Sequence, residues 1–169
     1  KTENTATIIN EDGVIKLGPW EPPSHGIISL LFKTPYPKGT ILFNGDTTKD
    51  YFHLEIINET SIRLEYNIGN GVSTIDLSLA NEKELNDRKW HAVTVYRNML
   101  QFGLKLDDQE KHKENPLFKE KELNVGDKLN VGTNPRDVTE GFVGCIRRLV
   151  SNHCSSRLLS RLVTVWIVL

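Results

Sequence analysis

The sequence predicts an all-β fold, an antiparallel β-sandwich. Three observations predict it: apolar residues recur at every second position, the runs that do so are short, and polar or Gly-containing turns separate them. Over residues 61–68 the side chains of Ile62, Leu64, Tyr66 and Ile68 fall on one face and those of Arg63, Glu65 and Asn67 on the other, the pattern of a half-buried strand. In the preceding run Phe52, Leu54 and Ile56 share a face opposite His53 and Glu55, and Asn58-Glu59-Thr60 supplies the turn that joins the two runs as a hairpin. Leu100, Phe102, Leu104 and Leu106 alternate with Gln101, Gly103 and Lys105, and Asp107-Asp108 ends the run as a polar turn with another edge hairpin to follow. Further strands are predicted over residues 5–9, 26–33, 40–44, 72–77, 90–97, 128–132 and 142–150. Residues 110–122 mix Lys and Glu around Asn115-Pro116 and read as a solvated loop rather than a basic recognition patch. Helix content is expected to be very low, and there is no internal repeat or low-complexity segment.

A length of 169 residues without a Gly/Ser/Pro-rich linker suits one domain. The apolar fraction of 38% and charged fraction of 25% are those of a globular chain, and a formal charge of -1 supplies no global field for nucleic acid or an anionic membrane. The opening Lys1-Thr2-Glu3-Asn4 lacks a charged segment followed by an apolar one, so no signal peptide is expected. Cys145 and Cys154 are the only cysteines, which excludes a disulfide-dense mini-fold. The histidines show no H-x-x-x-H spacing and the cysteines no C-x-x-C spacing, which argues against zinc.

Five segments in order carry a family signature. They are Asp50-Tyr51-Phe52-His53-Leu54-Glu55-Ile56, the turn Tyr66-Asn67-Ile68-Gly69-Asn70-Gly71, the approach Leu85-Asn86-Asp87-Arg88-Lys89-Trp90, the strand Lys89-Trp90-His91-Ala92-Val93-Thr94-Val95 that overlaps it and the closing Gly141-Phe142-Val143-Gly144-Cys145-Ile146-Arg147. Together, over about residues 27–152, they resemble a laminin G-like domain, nearest to the neurexin and contactin-associated-protein group. The resemblance implies the jelly-roll variant of the sandwich, as a module of an extracellular or cell-surface protein that is secreted or membrane-tethered through flanking sequence. It also implies a calcium ion held by the Asp50 carboxylate, the Ile68 carbonyl, the Asn124 side chain and the Glu122 carbonyl, all oxygen donors suited to a hard cation. Asp46 and Asp127 lie near these positions and are alternative carboxylates. In the family the cysteine of the closing motif usually bonds a partner some two dozen residues further on, whereas Cys154 lies nine residues after Cys145. A bridge between Cys145 and Cys154 requires the chain to turn back so that the Cα atoms come within ~7 Å. The domain is assigned to residues 1–152, and the apolar stretch 153–169 is either the last strand, the start of a membrane segment or sequence foreign to the fold; its uninterrupted part is too short to span a bilayer.

A catalytic reading is weaker. Alternation puts Trp90 and His91 on opposite faces of one strand, with Trp90 expected in the core beside Ala92 and Tyr96, and His91 opposite with Val93 and Val95. There is no G-x-S-x-G elbow and no obvious closely spaced strand pair of carboxylates of the kind a jelly-roll glycosidase uses, which leaves open a spatial pairing of Glu55 with Glu65 across the hairpin. Asn58-Glu59-Thr60 is an N-x-T glycosylation acceptor at a hairpin tip. Arg147, Arg148, Arg157 and Arg161 gather positive charge near the end of the chain, although Arg147 and Arg148 project to opposite faces of a shared strand. The function implied is non-enzymatic, calcium-dependent recognition of cell-surface or synaptic adhesion proteins at the loop rim. The alternatives are a laminin or agrin type of module binding sulfated matrix glycans, and a carbohydrate-active sandwich, lectin or glycosidase.

Overall fold

The computed structural model describes residues 5–22, 24–45, 50–81, 83–115, 123–125, 128–154 and 161–164. Its strands, in chain order, are β1 (Thr5–Ile8), β2 (Ile15–Leu17), β3 (His25–Lys33), β4 (Gly39–Gly45), β5 (Tyr51–Asn58), β6 (Ser61–Asn67), β7 (Val72–Ser78), β8 (His91–Asn98), β9 (Gln101–Leu106), β10 (Gln109–Glu114), β11 (Leu129–Val131), β12 (Gly144–Cys154) and β13 (Arg161–Thr164). They form two antiparallel sheets. Sheet A has the order β1-β12-β3-β8-β9-β10, with β13 also paired to β12, and sheet B has the order β2-β11-β4-β5-β6-β7. Neighbours such as β3 with β8 and β4 with β11 are far apart in sequence, so the chain crosses repeatedly between the sheets, as a jelly roll requires.

Alternation decides which side chains enter the space between the sheets. From sheet A these include Ile28, Leu30, Phe32, Val93, Val95, Leu104 and Ile146, and from sheet B Phe52, Leu54, Ile56, Ile62, Leu64 and Tyr66, all buried. Each fully buried large apolar side chain contributes ~1.5 to 3 kcal/mol relative to an exposed one. The layers interlock through ring contacts: Tyr66 of β6 stacks on Phe102 of β9 with centroids 4.3 Å apart, and Trp20 meets Phe52 edge-on at 5.2 Å.

Three sequence expectations are corrected. The first concerns Trp90, which is not a core residue. On β8 it is His91, Val93, Val95 and Arg97 that are buried, while Ala92 is exposed and Trp90, Thr94 and Tyr96 are only half-buried. The inward polar side chains at the two ends of this strand have partners: Arg97 donates from Nη1 to the Pro22 carbonyl at 2.9 Å, and His91 Nδ1 lies 2.8 Å from Asp107 Oδ2 with Nε2 3.2 Å from Asp87 Oδ1. Trp90 instead stands on the other side with cations over its ring, Arg147 Cζ at 4.1 Å and Lys33 Nζ at 5.0 Å from the centroid.

The second correction is the loop predicted over 110–122, whose first part is strand β10. This strand pairs with β9 from Gln109↔Leu106 to Glu114↔Gln101, and its residues are exposed from Glu110 to His112 and beyond, so no apolar alternation marks it. Charge on such an edge suits a strand that pairs on one side only. The third is the Cys145–Cys154 bridge. Both cysteines belong to β12 and are registered against opposite ends of β3, Cys145 to Lys33 and Cys154 to His25. Eight strand residues separate those partners by roughly 26 Å at ~3.3 Å per residue, far beyond bonding reach. Cys145 is a free thiol.

Candidate recognition rim

At one end of sheet B the strand register gathers the residues proposed as metal ligands. Tyr51 of β5 pairs with Asn67 of β6, so Asp50 and Ile68, the next residue outward on each strand, face one another at the sheet's end. Asn67 Oδ1 accepts a hydrogen bond from the Gly69 amide at 2.8 Å, which shapes the turn after Ile68, and Gly69 and Gly71 hold φ of 83° and 91°, a region where a side chain is costly. The Ile68 side chain is buried, so its backbone carbonyl is what this residue can offer a ligand. On the third side, Leu123 and Val125 are buried and Asn124 between them is exposed. Asn124 donates its amide proton to Asp50 Oδ2 at 3.0 Å, which fastens this distant segment to the start of β5. Asp50 Oδ1 has no partner among the described residues.

Gly45 explains how Asp50 is seated. It pairs with Tyr51 at a φ of 146°, and a Cβ there would come within 2.3 Å of Tyr51 Cβ and 2.8 Å of the Asp50 carbonyl, so β4 and β5 approach closely only because the residue is glycine. Asp50, Ile68 and Asn124 are thus brought together. Glu122, Asp46 and Asp127 lie outside the described residues. A carboxylate, a carbonyl and an amide side chain are the hard oxygen donors calcium takes, and this trio fits such an ion.

Beside this rim, the outer face of sheet B holds an aromatic and charged row. Phe43 and Tyr51 stack at 6.2 Å, the Arg136 guanidinium lies 4.3 Å from the Tyr51 centroid and 5.1 Å from that of Phe43, and the Tyr51 hydroxyl donates to Glu65 Oε1 at 2.8 Å. Burial, reinforced by the Glu65 hydrogen bond, pushes the Tyr51 hydroxyl up to about 12. His53, half-buried on this face, has Nε2 2.8 Å from Thr40 Oγ1, and desolvation pulls it down to about 4. Register puts Glu65 opposite His53 and Glu55 opposite Arg63, so Glu55 and Glu65 are diagonal neighbours on one face. Arg63 is held bidentately by Asp76 at 2.7 and 2.8 Å.

The outer face of sheet A differs. Tyr96 lies across Gly103, its cross-strand partner, where an added Cβ would come within 1.9 Å of the ring; Lys105 Nζ lies 5.8 Å from that ring's centroid and the hydroxyl donates to Glu110 Oε1 at 2.8 Å. Tyr96, Lys105 and Glu110, with Ile27, Thr94, Asn98 and Asn152, line a pocket of about 640 Å³. Arg147 belongs to this face, over Trp90, whereas Arg148 sits in the β12 bulge with φ of 53°. Arg157 lies outside the described residues, and of Arg161 only its place in β13 is described.

The profile of the Laminin G domain family matches residues 32–153, the greater part of the chain. The chain belongs to the laminin G domain family. Among curated proteins it is 28% identical to Neurexin-4 of Drosophila melanogaster over 150 residues, 88% of this chain and 11% of the relative, and 38% identical to Neurexin 1 of the same fly over 89 residues, 52% of this chain and 5% of the relative. This laminin G domain therefore spans about a tenth or less of the curated relatives it matches. Among solved structures, domains LG4-5 of the mouse laminin alpha1 chain superpose with a TM-score of 0.73 at 21% identity, over 98% of this chain and 44% of that one, which supports the fold.

Sequence reasoning missed Arg136 and the clasp on His91. Neither lies in a periodic run: Arg136 belongs to a loop that reaches Phe43 and Tyr51 only after folding, and Asp87 and Asp107 come from turns on either side of β8 and β9. The available signals were the polar Asp107-Asp108 turn and Asp87 in the approach to Trp90.

Proposed function

We propose that this laminin G domain is a non-enzymatic, calcium-dependent recognition module of a neurexin-like cell-adhesion protein, acting outside the cell and docking protein partners at the Asp50 rim. The observation that carries this reading is the meeting of Asp50, Ile68 and Asn124 at one sheet end, with one Asp50 oxygen tied to the Asn124 amide and the other unpartnered among the described residues. Asp50, the Ile68 carbonyl and the Asn124 side chain would hold the ion, with the Glu122 carbonyl as a fourth donor. Calcium there supplies charge neutralisation of Asp50 and open coordination positions. The chain's own residues do the rest: Asn124 fixes the rotamer of Asp50, the Gly69 and Gly71 turn sets the rim's outline, and Arg136 on its aromatic cradle offers a cation beside it. With one carboxylate, affinity is expected in the ~10⁻⁴ to 10⁻³ M range of extracellular modules.

Calorimetric titration with calcium tests the reading. Asp50→Ala is expected to abolish the heat of binding, and Asn124→Ala to weaken it less. Undiminished binding by the Asp50 variant would place the ion elsewhere.

A second reading, glycan binding on sheet A, is favoured by the pocket of about 640 Å³ over Tyr96, where an aromatic ring lies among Thr94, Asn98, Lys105, Glu110 and Asn152. Sulfated glycans would add the Lys33 and Arg147 cations beside Trp90. A glycan array read with and without calcium separates the two: calcium-independent retention that Tyr96→Ala removes favours the sheet face, and turnover of any glycoside would overturn both.

A further inference from the structure

We propose that Asn58 is an N-glycosylation site whose glycan projects from the end of the sandwich opposite the Asp50 rim. Asn58-Glu59-Thr60 is the only N-x-Ser/Thr triplet in the chain. It forms the tip between β5 and β6, with Asn58 and Glu59 exposed. Asn58 Oδ1 accepts hydrogen bonds from the Thr60 amide at 3.0 Å and from Thr60 Oγ1 at 3.1 Å, so both polar groups of the acceptor triplet already bear on the side-chain carbonyl. Asn58 Nδ2, the atom to be modified, has no partner among the described residues. The tip is tied from behind: the Glu59 carbonyl accepts from the Leu85 amide at 2.6 Å and the Thr60 carbonyl from the Leu79 amide at 2.9 Å, which leaves the Asn58 side chain as the outward element.

The donor is an oligosaccharide linked to a lipid pyrophosphate, the substrate of the secretory-pathway transferase. Nδ2 attacks the anomeric carbon, a C–N bond forms as the C–O bond to the pyrophosphate breaks, the amide loses one proton to base, and the lipid pyrophosphate leaves with its electron pair. Nothing is oxidised or reduced. Because β5 runs from the Asp50 rim to Asn58, the two lie roughly 26 Å apart at ~3.3 Å per residue, and the glycan leaves the rim uncovered.

The test expresses the 169-residue chain behind a secretion signal in animal cells. The secreted chain is expected to lose the mass of one glycan on treatment with a peptide N-glycosidase, with residue 58 converted to Asp in the mapped peptide. Thr60→Ser should keep the glycan and Thr60→Ala and Asn58→Gln should remove it; thermal melting of the unmodified bacterial protein checks that each variant folds. A secreted, folded wild-type chain without the glycan, or a glycan that survives both removal variants, would overturn the proposal. Calcium binding does not enter this experiment, so its failure and that of the rim reading are separable.

Discussion

His53 carries a pH dependence that is written in its surroundings. Its half-buried ring is held down by desolvation to about 4, against an ordinary value near ~6.5. Between those two values the unfolded chain binds a proton that the folded chain refuses, so stability is full above the unfolded value and is lost as pH falls from about 6.5 through 4. The shift corresponds to roughly 3 kcal/mol. Denaturant unfolding of the wild type and His53→Gln across this range is expected to show a stability difference that narrows or reverses toward pH 4, because the variant lacks the titrating ring; parallel curves would contradict it. Trp90 is half-buried on the outer face of sheet A. Held by two cations rather than by a core, it is expected to lose about 1 to 2 kcal/mol on Trp90→Ala, the scale of two partly exposed cation–π contacts. Circular dichroism and denaturant titration should find the variant folded, whereas a loss of ~3 to 5 kcal/mol would restore it to the interior.

At the scale of the element, the strands that alternate were legible and the ones that do not were not. The β5–β6 hairpin, β3 and β9 could be read from the sequence because each buries one face, so the chemistry of solvation is printed at a period of two. Strand β10 is polar on both faces and β2 is three residues long, so neither leaves such a mark. On β8 the strand was evident but its face was not: His91, Val93, Val95 and Arg97 compete with Trp90, Ala92, Thr94 and Tyr96, and the choice is settled by Asp87, Asp107 and the Pro22 carbonyl, partners that only the fold brings close. The Asp50 rim shows the same division. Its residues were named from a family pattern, but the hydrogen bond between residues 50 and 124 has no local signal. The pairing of Tyr96 with Gly103 yields a further prediction. Gly103→Ala forces a Cβ into the Tyr96 ring and is expected to cost about 1 to 3 kcal/mol, while the same change in a Tyr96→Ala background should cost less, a coupling that a double-mutant cycle measures. Additive costs would mean that the ring does not rest on β9.

The two proposals assign different work to the two ends of the molecule. The Asp50 rim lies where β5 begins and the Asn58 tip where it ends, and between them the sheets are joined by contacts such as Tyr66 on Phe102 that involve neither end. A site of near-millimolar affinity stabilises by RT ln(1 + [L]/Kd), about 0.4 to 1.4 kcal/mol at one to ten times Kd. For a domain of this length each kcal/mol moves the thermal midpoint by ~2 to 4 °C, so calcium at one to ten times Kd is expected to raise it by only about 1 to 6 °C. The proposed glycan at Asn58, at the far end, should leave this shift unchanged. Scanning calorimetry of the secreted chain before and after enzymatic deglycosylation, each with and without calcium, checks both expectations at once. A rise of tens of degrees would make the ion a structural element of the fold rather than part of a recognition surface, and a calcium shift that disappears on deglycosylation would show that the two ends are coupled through the sandwich.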